Sequence, residues 1–251
     1  MRILRGLVLA WLVLAAALWL AQRWLIYLPQ ATRIDAARTD FALDRDGVVL
    51  RGWRLNPRAG DALIYFGGNA ERIELAGPVL AQALPGRVVY QLAYRGYGAS
   101  DGRPSEAALV QDAVALFDEV RRRQPAAHIA VLGRSLGSGV ASALAARRPV
   151  DALVLVTPFD SLVAVAAQLL PMLPVRTLLR DRLDSVAALA DFDGPVLVIR
   201  AGRDAVIPPE RTDALLAALP DARVVELAAA GHNDIDLDPA YIAAIVAFLS
   251  Q

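Results

Sequence analysis

The stretch His128-Ile-Ala-Val-Leu-Gly-Arg-Ser-Leu-Gly-Ser-Gly139 decides how this chain is read. A short apolar run ends at Leu132, and Ser135 then stands midway between Gly133 and Gly137. Small residues, Gly139 and Ala141, follow at helix-compatible spacing. A plain turn needs one glycine, or two together. Two glycines four apart around a serine fit a sharp strand-to-helix turn that lifts a hydroxyl above a sheet. Side chains at 133 and 137 would collide with neighbouring elements, and the helix N-terminus would favour developing negative charge. The bland alternative is a tight turn with a buried serine, so the rest of the chain must supply or withhold the partners that chemistry needs.

A serine nucleophile needs a base, and the chain has two histidines, His128 and His232. His128 opens the strand that leads to Ser135, and so belongs at the far end of that strand. His232 lies in Ala229-Ala-Gly-His-Asn-Asp234, a loop after the last strand-like run and at the same sheet edge as Ser135. The base in turn needs an orienting acid. Asp204 leaves the preceding strand at that edge, in Ile199-Arg-Ala-Gly-Arg-Asp204. The order Ser135, Asp204, His232 is one of the chain orders in which this geometry occurs. Asp160 is the rival acid, and Asp234 is too near His232 along the chain. An oxyanion would require two backbone donors. Leu136 N–H follows the nucleophile, and Gly67-Gly-Asn-Ala70 offers Asn69 N–H, with Gly68 as the alternative. Each of these residues also has a plain reading, as a surface loop histidine, a capping aspartate or a glycine-rich turn.

The surrounding pattern agrees with a parallel sheet. Runs at Gly47–Arg54, Ala62–Phe66, Arg87–Tyr94, His128–Leu132, Ala152–Val156, Pro195–Ile199 and Ala222–Leu227 read as strands. Helical patterns at Ser105–Arg123, Leu136–Ala146, Pro208–Leu219 and Pro239–Leu249 alternate with them. Such alternation implies a mostly parallel sheet of about eight strands, covered on both faces. Residues 158–193 separate two strands by more than one helix needs and are expected to form a short cap.

The first thirty residues differ. Gly6 to Ala21 carries no charge and no polar face, and apolar character resumes at Trp24–Leu28. This approaches the roughly 20 apolar residues of a membrane span, with Trp19, Trp24 and Tyr27 as interfacial anchors. A cleaved signal peptide competes with an uncleaved anchor. The anchor is preferred, because Ala15–Ala17 lies inside the apolar run and Trp19 spoils the later cleavage option. The expected organisation is an anchor over 1–29 and a catalytic domain over 30–251. The arginines flanking the span are nearly balanced, and the N-terminus is placed inside and the domain outside.

Composition excludes other classes. All 26 basic residues are arginine, balanced by 26 acidic ones, and no basic block suggests nucleic acid. There is no cysteine, hence no disulfide, thiolate nucleophile or cysteine metal site. Two scattered histidines argue against a transition-metal site. A chain with no lysine also lacks the phosphate-loop lysine of nucleotide-binding proteins.

These features together resemble the α/β-hydrolase fold, and more closely its membrane-anchored Bem46-like and ABHD-type serine hydrolases. The resemblance covers about residues 24 to 249. It is carried by Leu25–Pro29, Tyr65–Ala70, Tyr94–Gly98, Gly133–Ser138, Thr157–Ser161 and Gly231–Asp234. Two departures stand out. Gly67 occupies a position where such proteins often have histidine, and Ala201-Gly-Arg203 replaces the usual turn before the acid. The resemblance implies ester or thioester hydrolysis through an acyl-enzyme, with no cofactor. A peptidase of the same fold and a non-catalytic binding protein are the alternatives.

Overall fold

The computed structural model describes residues 1–250, the side chains of Arg2 and Val8 excepted. The Arg2 side chain, a charge before the apolar run, and Gln251, at the end of the expected domain, therefore fall outside the described residues.

Helix α1 (Arg2–Ile26) opens the chain. It is long and apolar enough to cross a membrane. Two short 3-10 turns lead to β1 (Phe41–Arg45), followed by β2 (Val48–Leu55) and β3 (Asp61–Phe66). The order continues α2 (Ile73–Ala83), β4 (Arg87–Leu92), α3 (Glu106–Arg123), β5 (Ile129–Arg134) and α4 (Leu136–Ala145). After β6 (Ala152–Val156) come α5 (Leu162–Leu169), α6 (Val175–Leu178) and α7 (Ser185–Ala188). The chain ends with β7 (Val196–Ala201), α8 (Pro209–Ala217), β8 (Arg223–Leu227) and α9 (Pro239–Leu249).

The eight strands form one sheet in the order β1-β2-β4-β3-β5-β6-β7-β8. β1 and β2 run antiparallel, β2 is antiparallel to β4, and β4 through β8 are parallel. Central strands such as β5 and β6 are apolar on both faces because helices cover both sides, the pattern of a buried parallel sheet. Ser105 caps α3 by accepting from Ala108 N–H, and Asp238 caps α9 by accepting from Ala240 N–H, as short polar side chains at an N-cap do.

One strand escapes the sequence reading: β1, whose sequence Phe-Ala-Leu-Asp-Arg is an edge strand with one buried face, too charged to stand out. After Gly67–Ala70 a turn is completed before α2 starts at Ile73. The later part of the cap is two single-turn helices joined by irregular chain, with Asp181 and Leu183 buried between them.

All the loops that leave the C-terminal ends of the parallel strands meet at one edge. In such open sheets, sites form outside the carboxyl ends of the strands.

Candidate active site

Ser135 occupies the elbow between β5 and α4 with φ 51° and ψ −117°, a conformation costly for a residue with a Cβ. The surroundings impose it. A Cβ at Gly133 would lie 2.3 Å from Gly137 O, and one at Gly137 would lie 2.1 Å from Phe66 O. Both glycines are there because backbones approach too closely for any side chain. Ser135 N–H is held by Val156 O at 2.9 Å, so the turn is braced from β6. Ala70 and Thr157, also at this edge, share the positive φ. Unfavourable backbone thus gathers where the candidate chemistry is.

His232 is buried in the loop after β8. Its Nε2 lies 2.9 Å from Ser135 Oγ, and its Nδ1 lies 2.7 Å from Asp204 Oδ2. Asp204 Oδ1 accepts from the N–H groups of Val206 and Ile207, both at 2.8 Å. Burial alone would raise the Asp204 carboxyl pKa. The hydrogen bond from His232, those from the two N–H groups and the nearby imidazole outweigh it, and the pKa falls below the ordinary value. An anion held this way fixes the imidazole with Nδ1–H toward the carboxylate and leaves Nε2 to accept from the serine.

The rival residues lie elsewhere. Asp160 pairs with Arg211 at 2.9 Å and accepts from Ser161 N–H. Asp234 accepts from Gly231 N–H at 2.6 Å and so shapes the His232 loop. His128 is exposed at the opposite end of β5, beside Asp151.

The candidate oxyanion donors separate. Gly68 N–H donates to Glu71 Oε2 at 2.6 Å and is engaged. Asn69 N–H and Leu136 N–H carry no hydrogen bond among the described residues. The Asn69 side chain makes three hydrogen bonds. Its Oδ1 accepts from Leu28 N–H at 3.0 Å and from the Tyr97 hydroxyl at 2.7 Å, and its Nδ2 donates to Ile26 O at 2.6 Å. The end of α1 is therefore bonded directly to the loop beside Ser135.

Sequence reasoning missed the residues that hold these loops together. Arg134, immediately before the serine, donates to the carbonyls of His232 and Asn233, both at 3.2 Å. It also faces Glu71 at 3.7 Å and Asp236 at 3.4 Å. Burial opposes its charge, but Glu71, Tyr65 and Asp236 outweigh that and raise its pKa. Glu71 in turn accepts from the Tyr65 hydroxyl, whose pKa burial pushes far up. The Tyr94 hydroxyl donates to Gly67 O at 2.9 Å and steadies the loop whose customary histidine is absent. An arginine inside a glycine-serine motif was the available signal, but its partners are main-chain groups that no spacing rule reveals.

A mostly parallel eight-stranded sheet with a strained serine elbow at its carboxyl edge defines an α/β hydrolase. Comparison with known proteins agrees. Residues 62–183 match a family model described as serine aminopeptidase, S33, and residues 175–251 match one described as TAP-like protein. The chain is 38% identical over 234 residues to the uncharacterized protein Rv2307c of Mycobacterium tuberculosis, covering 88% of this chain and 83% of that one. It is 31% identical to the alpha/beta hydrolase domain-containing protein WAV2 of Arabidopsis thaliana, covering 75% of this chain and 70% of that one. The Pyrococcus furiosus esterase Pf2001 has the same fold, with a TM-score of 0.68 at 17% identity over 85% of this chain and 91% of that one. The chain belongs to the α/β-hydrolase superfamily.

Proposed function

We propose that this protein is a membrane-anchored serine hydrolase that cleaves carboxylic ester or thioester bonds of acyl substrates. The observation that carries the reading is the continuous hydrogen-bonded chain Asp204–His232–Ser135, at 2.7 and 2.9 Å, ending on a serine held in a strained elbow. In this reading Ser135 Oγ attacks the acyl carbonyl carbon as its proton passes to His232 Nε2. The N–H groups of Leu136 and Asn69 hold the oxyanion. Collapse expels the alcohol or thiol, which takes the proton from His232. Water then attacks the acyl-enzyme with His232 as base and releases the acid. Asp204 remains an anion throughout and stabilises the imidazolium. No cofactor enters these steps.

Residues 1–29 are the anchor and 30–251 the catalytic domain, with 158–193 as its cap. The length and apolar character of α1 support this. The domain is assigned to the outer side of the membrane, which a C-terminal topology reporter checks.

Fluorophosphonate labelling tests the chemistry. Wild type is expected to label, and Ser135→Ala and His232→Ala to lose labelling by at least about 10³-fold. A folded wild type that stays unlabelled would mean a hydrolase fold used for binding. One of the matching models is described as an aminopeptidase family, so the substrate panel should hold aminoacyl arylamides beside esters and thioesters of graded chain length.

A further inference from the structure

The cap carries a surface that the chemistry does not use. Residues 162–175, Leu-Val-Ala-Val-Ala-Ala-Gln-Leu-Leu-Pro-Met-Leu-Pro-Val, contain no charge. At its tip Leu169, Leu170 and Met172 are 61%, 48% and 82% exposed. Large apolar groups clustered on a protein surface mark an interaction site. What covers them follows from their neighbour. The tip lies along α1: Trp11 Nε1 donates to Met172 O at 3.4 Å, and Gln22 bonds to Leu178 O and Arg180 N–H. Between α1 and the cap runs an apolar slot of about 120 Å³, lined by Leu18, Trp19, Leu25, Leu170 and Leu173 among others.

Helix geometry fixes the depth. Trp11 stands six residues from Arg5 and twelve from Arg23, roughly 9 and 18 Å along the axis at about 1.5 Å per residue. If those arginines mark the two faces of a hydrocarbon layer about 30 Å thick, Met172 lies well inside it. Most of the tip's backbone donors are already accounted for. Lipid favours backbone polar groups that are paired. Leu170 N–H is bonded to Ala166 O and Leu173 N–H to Leu170 O, and Pro171 and Pro174 have no N–H to satisfy, which leaves Met172 N–H as the one donor of residues 170–174 without a backbone partner among the described residues. Beyond the tip the chain turns basic. Arg176 and Arg182 are exposed, Arg180 stacks over Trp19 at 3.7 Å, and Arg23 pairs with Asp181. That arrangement puts charge at headgroup level.

We infer that the cap tip, Leu169–Leu173, is immersed in the bilayer beside α1, covered by lipid acyl chains, which also fill the slot between them. The inference rests on α1 being a membrane span, and its test separates the two. The chain has no cysteine, so single-cysteine variants can be labelled with an environment-sensitive fluorophore. Met172→Cys, Leu169→Cys, Leu14→Cys in α1 and Asp221→Cys at the opposite sheet edge would be placed in phosphatidylcholine vesicles with and without acyl-chain spin labels. Fluorophosphonate labelling or thermal melting of the same samples reports folding. The expected result is a blue shift at 169 and 172 and a loss of emission matching that at Leu14→Cys, with Asp221→Cys unaffected. Quenching at position 14 alone overturns the proposal and leaves the anchor. Quenching at none of the three overturns both. A blue shift at 172 without quenching also overturns it, in favour of a second copy of the chain covering the tip.

Discussion

At the scale of single residues, Asp204 links chemistry to stability. Its pKa is depressed in the folded protein, chiefly because His232 and two N–H groups outweigh its burial. Its contribution is therefore complete above the unfolded value of about 3.9 and is lost as pH falls through the lower folded value. The melting temperature of wild type should drop more steeply below about pH 4 than that of Asp204→Asn, a comparison thermal scans can make. The same variant should lower kcat by about 10⁴-fold with little loss of folding at neutral pH, since it spoils the tautomer of His232. Arg134→Met leaves the partly buried Glu71 without its cation and frees two loop carbonyls. A loss of about 3 kcal/mol is expected from breaking such a buried arrangement, or roughly 6–12 °C in a domain this size. His128→Ala, at an exposed position on the opposite sheet edge, should change neither melting nor turnover measurably.

At the scale of elements, the contact between α1 and the Asn69 loop would give the proposed anchor a second task. Asn69 takes Ile26 O and Leu28 N–H as partners. Removing residues 1–29 leaves the side chain with the Tyr97 hydroxyl as its remaining partner in the chain. A truncated domain should hydrolyse a small soluble ester about tenfold more slowly, the equivalent of one lost hydrogen bond of about 1.4 kcal/mol at the transition state. Asn69→Ala in the full chain should reproduce the loss. Steady-state rates on both proteins check this. The same contact marks the limit of what the sequence discloses. Strands β2 to β8 and helices α3, α4, α8 and α9 were legible because their periodicity is local, and the placement of Ser135, Asp204 and His232 at one sheet edge because each follows a strand. β1 was hidden by its charged outer face. Asn69, Arg134 and Glu71 were illegible in their holding roles because each bonds to backbone brought near only by the completed fold.

At the scale of the whole molecule, the two edges of the sheet have different occupations. The loops with Ser135, Asp204 and His232 share one edge with the docked end of α1. At the opposite edge Arg87 donates to Leu249 O at 2.9 Å and fastens the end of α9 there. A protein fused after residue 251 should therefore leave fluorophosphonate labelling within about twofold of wild type, as a fusion on the far face of a rigid scaffold would. Under the proposed function, with α1 as the anchor and a lipid-borne ester as substrate, a site on the same face as that helix would meet its substrate in an unusual way. The enzyme and a lipid-borne ester diffuse in one plane, so encounters are governed by molecules per unit of membrane area. Saturation would then follow the mole fraction of substrate in the bilayer, and diluting the vesicles at fixed composition would leave the rate per enzyme unchanged.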